Sequence, residues 1–212
     1  SALINELQEK QFPFVMVSYT DDPSICFIGT DQEKGGFIAT EHLINTGYND
    51  IGYVNGEEGN LVGEARKKGY VRALNENNLP VNKNYLYRIK IKGKRDDFQS
   101  GYDVGVKFCN RSERPRAMFI YNDLSALGFI DALVEFGLKV PEDVAIIGFD
   151  DIVIGRSSTN NLTSVHQPTD MIGKLAVENL LKMINGKLPD ASLYRTLNPE
   201  LVIRESCGTK IS

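Results

Sequence analysis

Residues 116–151 read RAMFIYNDLSALGFIDALVEFGLKVPEDVAIIGFDD, and this stretch decides the fold. It opens on AMFIY, apolar at nearly every position, as strands are when both faces of their sheet are covered. Residues 123–137 then carry Leu124, Leu127, Ile130, Leu133 and Val134 at helical spacing. They close at Phe136-Gly137, where a glycine can take the positive φ that ends a helix. Pro141-Glu142-Asp143 turns the chain into a second apolar run, VAIIGF. Strand, helix and strand in this order form the repeating unit of a parallel sheet.

Working outward, the same alternation continues. Upstream strands are read in FVMVSY (14–19), ICFIGT (25–30), IGYVNG (51–56) and YLYRIKI (85–91), with helical patterns at 33–46, 63–78 and 98–111. Downstream, 170–184 places Ile172, Leu175, Ala176, Leu180 and Ile184 near one stripe and stops at Asn185-Gly186; LVIRES (201–206) is a last strand. Residues 2–10 read as the tail of an amphipathic helix with Leu3, Ile4 and Leu7 on one side. The first two strands have too few neighbours to make a stable sheet. The expectation is that elements normally preceding Ser1 are missing from an incomplete amino-terminal lobe.

Bulk properties narrow the function. The chain has 212 residues, 42% hydrophobic and 25% charged, with a net charge of −4, which is ordinary for a soluble globular protein and wrong for a nucleic-acid surface. The one basic cluster, RIKIKGKR (88–95), alternates with Ile89 and Ile91 as a strand with one wet face does. The start, SALINELQEK, lacks the basic opening and apolar core of a secretory signal. Cys26, Cys109 and Cys207 are odd in number and far apart, suggesting neither disulfides nor a metal site, and a reducing cytoplasm fits them. His42 and His166 join no ligand cluster, Ser157-Ser158 has no evident base, and no phosphate-binding glycine motif is present. An enzyme, a cofactor and a metal are therefore not expected.

Five segments in register carry a resemblance: IGTDQEKGGFIATEHLINTGYNDIGYVNG, EARKKGYVRAL, the stretch quoted first, LTSVHQPTDMIGKLAVENLL and NPELVIRES. Together they resemble the effector-binding domain of LacI/GalR transcription regulators. That resemblance implies an α/β fold of two Rossmann-like lobes with parallel sheets, periplasmic-binding-protein-like, type I. It puts chain crossings near 48–50, 166–168 and 192–193. The lobes would be 1–48 with 167–192 (partial, amino-terminal) and 49–166 with 193–212 (carboxy-terminal). The helix-turn-helix head that reads operator DNA in this family would lie outside the chain. A periplasmic sugar-binding protein of a transport system shares the fold and is the alternative.

Ligands of open parallel sheets bind beyond the carboxyl ends of the strands. AMFIY runs into Asn122-Asp123, and VAIIGF into Asp150-Asp151. Either of Asn122 and Asp123 can instead cap the following helix, and paired acids can hold magnesium. The resemblance implies that Asn122, Asp150 and Arg66 bind the effector. An amide, a carboxylate and a guanidinium suit the vicinal hydroxyls of a sugar or sugar derivative. Arg66 is otherwise one exposed charge beside Lys67 and Lys68. Asp96 matches a variable selectivity position or is a solvated acid beside Asp97, and Asp31 matches an acid that contacts ligand in some relatives. Ser18 departs from the aspartate many relatives carry there. Tyr121 and Phe149 read as core. The helix at 124–136 is apolar nearly all round, so it is either internal or paired with another surface. The resemblance implies a homodimer through Leu127, Ile130, Leu133 and Val134, with effector binding altering the spacing of the DNA heads.

Overall fold

Apolar runs of this kind must be covered on both sides, and the computed structural model, which describes residues 2–17, 19–90, 96–156, 161–187 and 194–209, places IGYVNG, AMFIY and VAIIGF in a six-stranded sheet and ICFIGT in a separate two-stranded one. Ser18, residues 91–95 of the basic cluster, Ser157-Ser158 and the expected crossing at 192–193 lie outside the described residues. In chain order the elements are α1 (Ala2–Glu9), β1 (Phe27–Thr30), α2 (Gln32–Asn45), β2 (Ile51–Asn55), α3 (Leu61–Glu76), β3 (Leu86–Arg88), α4 (Asp97–Cys109), β4 (Ala117–Ile120), α5 (Asp123–Glu135), β5 (Ala145–Asp150), β6 (Thr163–His166), α6 (Thr169–Ile184), β7 (Tyr194–Leu197) and β8 (Glu200–Val202).

The large sheet runs β3-β2-β4-β5-β6-β8, parallel throughout except for β8, which pairs antiparallel with β6. Strands β2 and β4 are buried along their whole length. Helix α2 packs along α3, and α4 along α5. Right-handed crossovers put these pairs on opposite faces of the sheet. Strand order reverses between β2 and β4, which is where an open α/β sheet opens a crevice for ligands.

Contacts divide the chain into two units: Ser1–Asp31 with Pro168–Asn198, and Gln32–Gln167 with Pro199–Ser212. The division after Gln167 is one residue from the expected one. The others differ, for two reasons. Helix α2 belongs to the larger unit because it meets α3 almost backbone to backbone: a Cβ on Gly36 would overlap the Arg66 carbonyl, and one on Gly69 the Glu33 carbonyl. Strand β7 belongs to the smaller unit because it pairs in parallel with β1, Phe27 opposite Tyr194. In that unit the described residues of FVMVSY form no strand, only a bridge from Met16 to Phe27. A Gly69→Ala substitution, which must push α2 and α3 apart, is expected to cost about 1–3 kcal/mol in urea unfolding. A loss below a few tenths of a kcal/mol would contradict the close crossing.

The dimer residues expected on α5 need correction. Leu127, Ile130 and Leu133 are buried by the chain itself, and of the four only Val134, 65% exposed, presents surface. The reason is that α4 covers a second side of α5. Gly101 lies against the Ser125 backbone and Gly128 against the Phe98 carbonyl, closer than any side chain would permit. A helix covered by a sheet and by another helix needs apolar residues on both sides. Leu124 and Phe136 join Val134 among its exposed apolar residues.

Candidate ligand-binding site

Helix α3 is started by Asn60, whose Oδ1 accepts from the Gly63 N–H at 2.9 Å. Its buried positions are Gly63, Ala65, Arg66, Gly69, Tyr70, Ala73 and Leu74, so an arginine stands in a small and apolar stripe. Burying a guanidinium is costly unless its N–H groups find acceptors. Arg66, 4% exposed, finds three: its Nε donates to Gln32 Oε1 at 2.9 Å, Nη1 to the Tyr121 carbonyl, and Nη2 to Asp150 Oδ1 at 3.4 Å. Its guanidinium also lies 3.5 Å over the centre of the Phe149 ring. Burial lowers the Arg66 pKa, and the Asp150 charge opposes that shift. The side chain therefore joins the tips of β4 and β5 rather than standing exposed beside Lys67 and Lys68.

Asp150 is the last residue of β5. Its Oδ1 also accepts from Gln167 Nε2 at 2.7 Å, while Gln167 Oε1 accepts from Gln32 Nε2 at 3.1 Å. Arg66, Gln32, Gln167 and Asp150 thus close a ring of hydrogen bonds. Burial pushes the Asp150 carboxyl above the usual carboxylate range, while Arg66 and Gln167 pull it back. Asp150 and Asp151 have φ of 109° and 53°, the left-handed region that side chains avoid. Such a bend persists only if its surroundings over-determine it. Asp151 Oδ1 is held by Arg204 Nη2 at 2.6 Å, and its Oδ2 by Arg156 Nη2 at 2.9 Å and His166 Nδ1 at 3.2 Å. Burial alone would raise the Asp151 carboxyl, but Arg204 and Arg156 hold it below its ordinary range. With these partners Asp151 is committed to ion pairs. Among the described residues no group of three or more His, Cys, Asp or Glu is placed to hold a metal.

Asn122 does cap α5: its Oδ1 accepts from the Ser125 N–H at 2.9 Å. Its amide nitrogen donates to Asp97 Oδ2 at 2.9 Å, and Tyr121 Oη donates to Asp97 Oδ1 at 2.6 Å. The acid that reaches the strand tips is therefore Asp97. Asp96 is exposed and caps α4, its Oδ1 accepting from the Gln99 N–H at 2.9 Å. Asp31 follows β1 in the smaller unit, its N–H donating to the Leu197 carbonyl at 2.9 Å.

Beneath this layer, Asp123 is almost wholly buried. Its Oδ1 accepts from Ser164 Oγ at 2.7 Å and its Oδ2 from the Ile152 N–H at 2.9 Å; Ser164 Oγ in turn accepts from the Asp151 N–H at 3.0 Å. Burial drives its carboxyl up to about 7, against those two hydrogen bonds and with the help of Asp150 and Asp151. It fixes the bend after β5 from below.

Residues that sequence reasoning passed over are Gln32, Gln167 and Asp97, with Tyr121 and Phe149 read only as core. A signal for the glutamines existed. Gln32 lies two residues beyond the end of β1 and Gln167 immediately after β6, at strand carboxyl ends like the two polar pairs already chosen.

A parallel sheet with a switch point, and polar side chains gathered at its strand tips, defines a ligand-binding domain, and residues 40–207 match the periplasmic binding protein-like domain family, to which this chain belongs. Within that family it is an effector-binding domain of LacI/GalR type. It is 34% identical over 208 residues to the HTH-type transcriptional repressor PurR of Aliivibrio salmonicida (strain LFI1238), covering 96% of this chain and 60% of that protein. The PurR repressor of Haemophilus influenzae (strain PittEE) is 35% identical over 196 residues, 92% of this chain and 57% of the relative. The chain thus spans about three fifths of the length of the curated relatives it matches, and those relatives are repressors, not enzymes. Among solved structures, a LacI-family regulatory protein from Chloroflexus aggregans superposes with a TM-score of 0.86 at 31% identity, over 96% of this chain and 71% of that one. The transcriptional regulator CelR in complex with cellobiose gives 0.86 at 27% identity, over 96% and 62%.

Proposed function

We propose that this chain senses a small effector, a sugar or sugar derivative, for a LacI/GalR-type transcription regulator whose operator-reading helix-turn-helix lies elsewhere in the whole protein. The observation that carries this reading is the buried Arg66 joined to Asp150 at the tips of β4 and β5. Asp150 keeps an exposed share of about a third, and among the described residues no hydrogen bond is made to its Oδ2. That oxygen can accept from a ligand hydroxyl, and Arg66, with five N–H groups, can donate to the neighbouring one. The cellobiose in the CelR complex supports a sugar. Asn122, Asp97 and Asp96 lie at or next to the same strand tips and are assigned to the site's periphery.

In this reading the regulator works in the cytoplasm as a homodimer, with the exposed Leu124 and Val134 of α5 and Phe136 just past its end supplying apolar surface. Effector binding shifts the population of two arrangements by its differential affinity for them, and DNA affinity follows. Calorimetry on the whole regulator against mono- and disaccharides and nucleosides tests the site. A binding sugar is expected, with affinity reduced about 10- to 100-fold by Asp150→Ala, the worth of a hydrogen bond to a charged group. Unchanged affinity in the variant would sink the assignment.

A further inference from the structure

We infer that Gln32 and Gln167 are positioning residues: they form a one-way hydrogen-bond relay that starts at Arg66 and ends at Asp150, and so keeps the Asp150 carboxylate an acceptor. The direction does not depend on how either amide is drawn. Arginine only donates, so the Gln32 atom 2.9 Å from Arg66 Nε must be its oxygen. The Gln32 nitrogen then faces Gln167 at 3.1 Å, which fixes the Gln167 oxygen there. The Gln167 nitrogen is left to face Asp150 Oδ1 at 2.7 Å, and it can only donate. Two neutral amides therefore carry the donor character of Arg66 around to Asp150 Oδ1, the same oxygen that Arg66 also touches directly. Gln32 is buried, so it acts through these partners.

The relay matters because burial and a neighbouring acid work against a negative charge on Asp150. Desolvation raises its pKa, and Asp97 on α4 adds to the rise. Asp123 on α5 and Tyr121 just after β4 interact electrostatically with it. Asp151, the next residue, is paired with Arg156, Arg204 and His166. Arg66 and Gln167 are the groups that favour the ionised form. Both glutamines also stand at points where the chain passes between its units, Gln32 just after one division and Gln167 just before another. The inference rests on Asp150 and Arg66 as the effector-contacting pair, but its test uses no effector.

The experiment follows the Asp150 side-chain carboxyl by carbon NMR in the full chain labelled at aspartate, with the resonance assigned by its loss in Asp150→Asn. In Gln32→Glu, residue 32 can no longer donate. Gln167 must turn its nitrogen toward it and present oxygen to Asp150, so the titration midpoint is expected to rise by about one pH unit or more. Gln167→Leu removes the donor directly and raises the midpoint as well. Adding Gln32→Glu to it has little further effect, because no relay remains to reverse. A wild-type midpoint in Gln32→Glu overturns the relay; so does a double variant in which the Gln32→Glu increment persists in full, which would make it a charge effect. If Gln32→Glu does not fold, Gln32→Met decides: it adds no charge and does not touch Asp150, and a midpoint unmoved from wild type overturns the inference. Failure of every sugar to bind would sink the effector reading and leave this result standing.

Discussion

Replacing Arg66 with leucine is expected to remove about 3–5 kcal/mol from the stability of the larger unit, the loss found when one partner of a buried ion pair is deleted. The substitution strands Gln32 Oε1 and the Tyr121 carbonyl without a donor, leaves Asp150 Oδ1 only the Gln167 amide, and uncovers the Phe149 ring. Against a total of about 5–15 kcal/mol for a domain, a loss of this size moves the urea midpoint far or abolishes the transition. Lysine is expected to recover only part of it. A single ammonium replaces the charge but cannot span three acceptors arranged for a planar fork. A leucine variant within about 1 kcal/mol of wild type would mean that the guanidinium is a surface charge in all but geometry.

A second large effect concerns pH. Asp123, with a carboxyl raised from 3.8 to about 7, holds its proton more tightly folded than unfolded. Its contribution to stability is fully present below the unfolded value and is lost as pH rises through 7, on the order of 4 kcal/mol in all. Asp123→Asn mimics the protonated form at every pH. The variant should match wild type near pH 4 and exceed it progressively up to pH 8, in urea unfolding followed by circular dichroism. Comparison with wild type at each pH is essential because Cys207 runs the other way. Its burial opposes ionisation, but hydrogen bonds with His42, Thr163 and Thr209 bring the thiol down to about 6, so its contribution grows as pH rises from there. That term is common to both proteins and cancels. Asp151, held low by Arg204 and Arg156, loses its contribution only in the acid range, below the window at issue. Parallel stability curves for the two proteins between pH 4 and 8 would refute the assignment.

Much of the larger unit was legible in sequence because its elements obey local rules. α3, α4 and α5 begin on side-chain caps (Asn60, Asp96, Asn122), and β2, β4 and β5 are apolar up to the polar residue that ends β2 (Asn55) and β5 (Asp150). What escaped depends on partners distant in sequence. TSVH and YRTL carry polar residues and look like loops; they become β6 and β7 because β5 and β1 offer open edges. FVMVSY has strand composition, but among its described residues the pairing is a single bridge, Met16 to Phe27. Helix α5 was assigned an interface because its periodicity cannot reveal that α4 lies along it. Arg66 and Asp150 were chosen through motif, but the two glutamines that complete their hydrogen-bonded ring are 135 positions apart, and no local pattern joins them. Asp96 and Asp97 are adjacent acids at a helix start, and composition cannot say which caps and which turns inward.

The antiparallel pairing of β8 with β6 has a consequence for biosynthesis. Ser164 waits for Val202, and the Arg204 that clamps Asp151 follows two residues later. A nascent chain leaving the ribosome exposes the edge of β6 until these last segments emerge, and β1 likewise stays open until Tyr194 arrives. Stalling translation before Pro199 should leave a species that chaperones hold and proteases cut, whereas release after Ser206 should let the edge close.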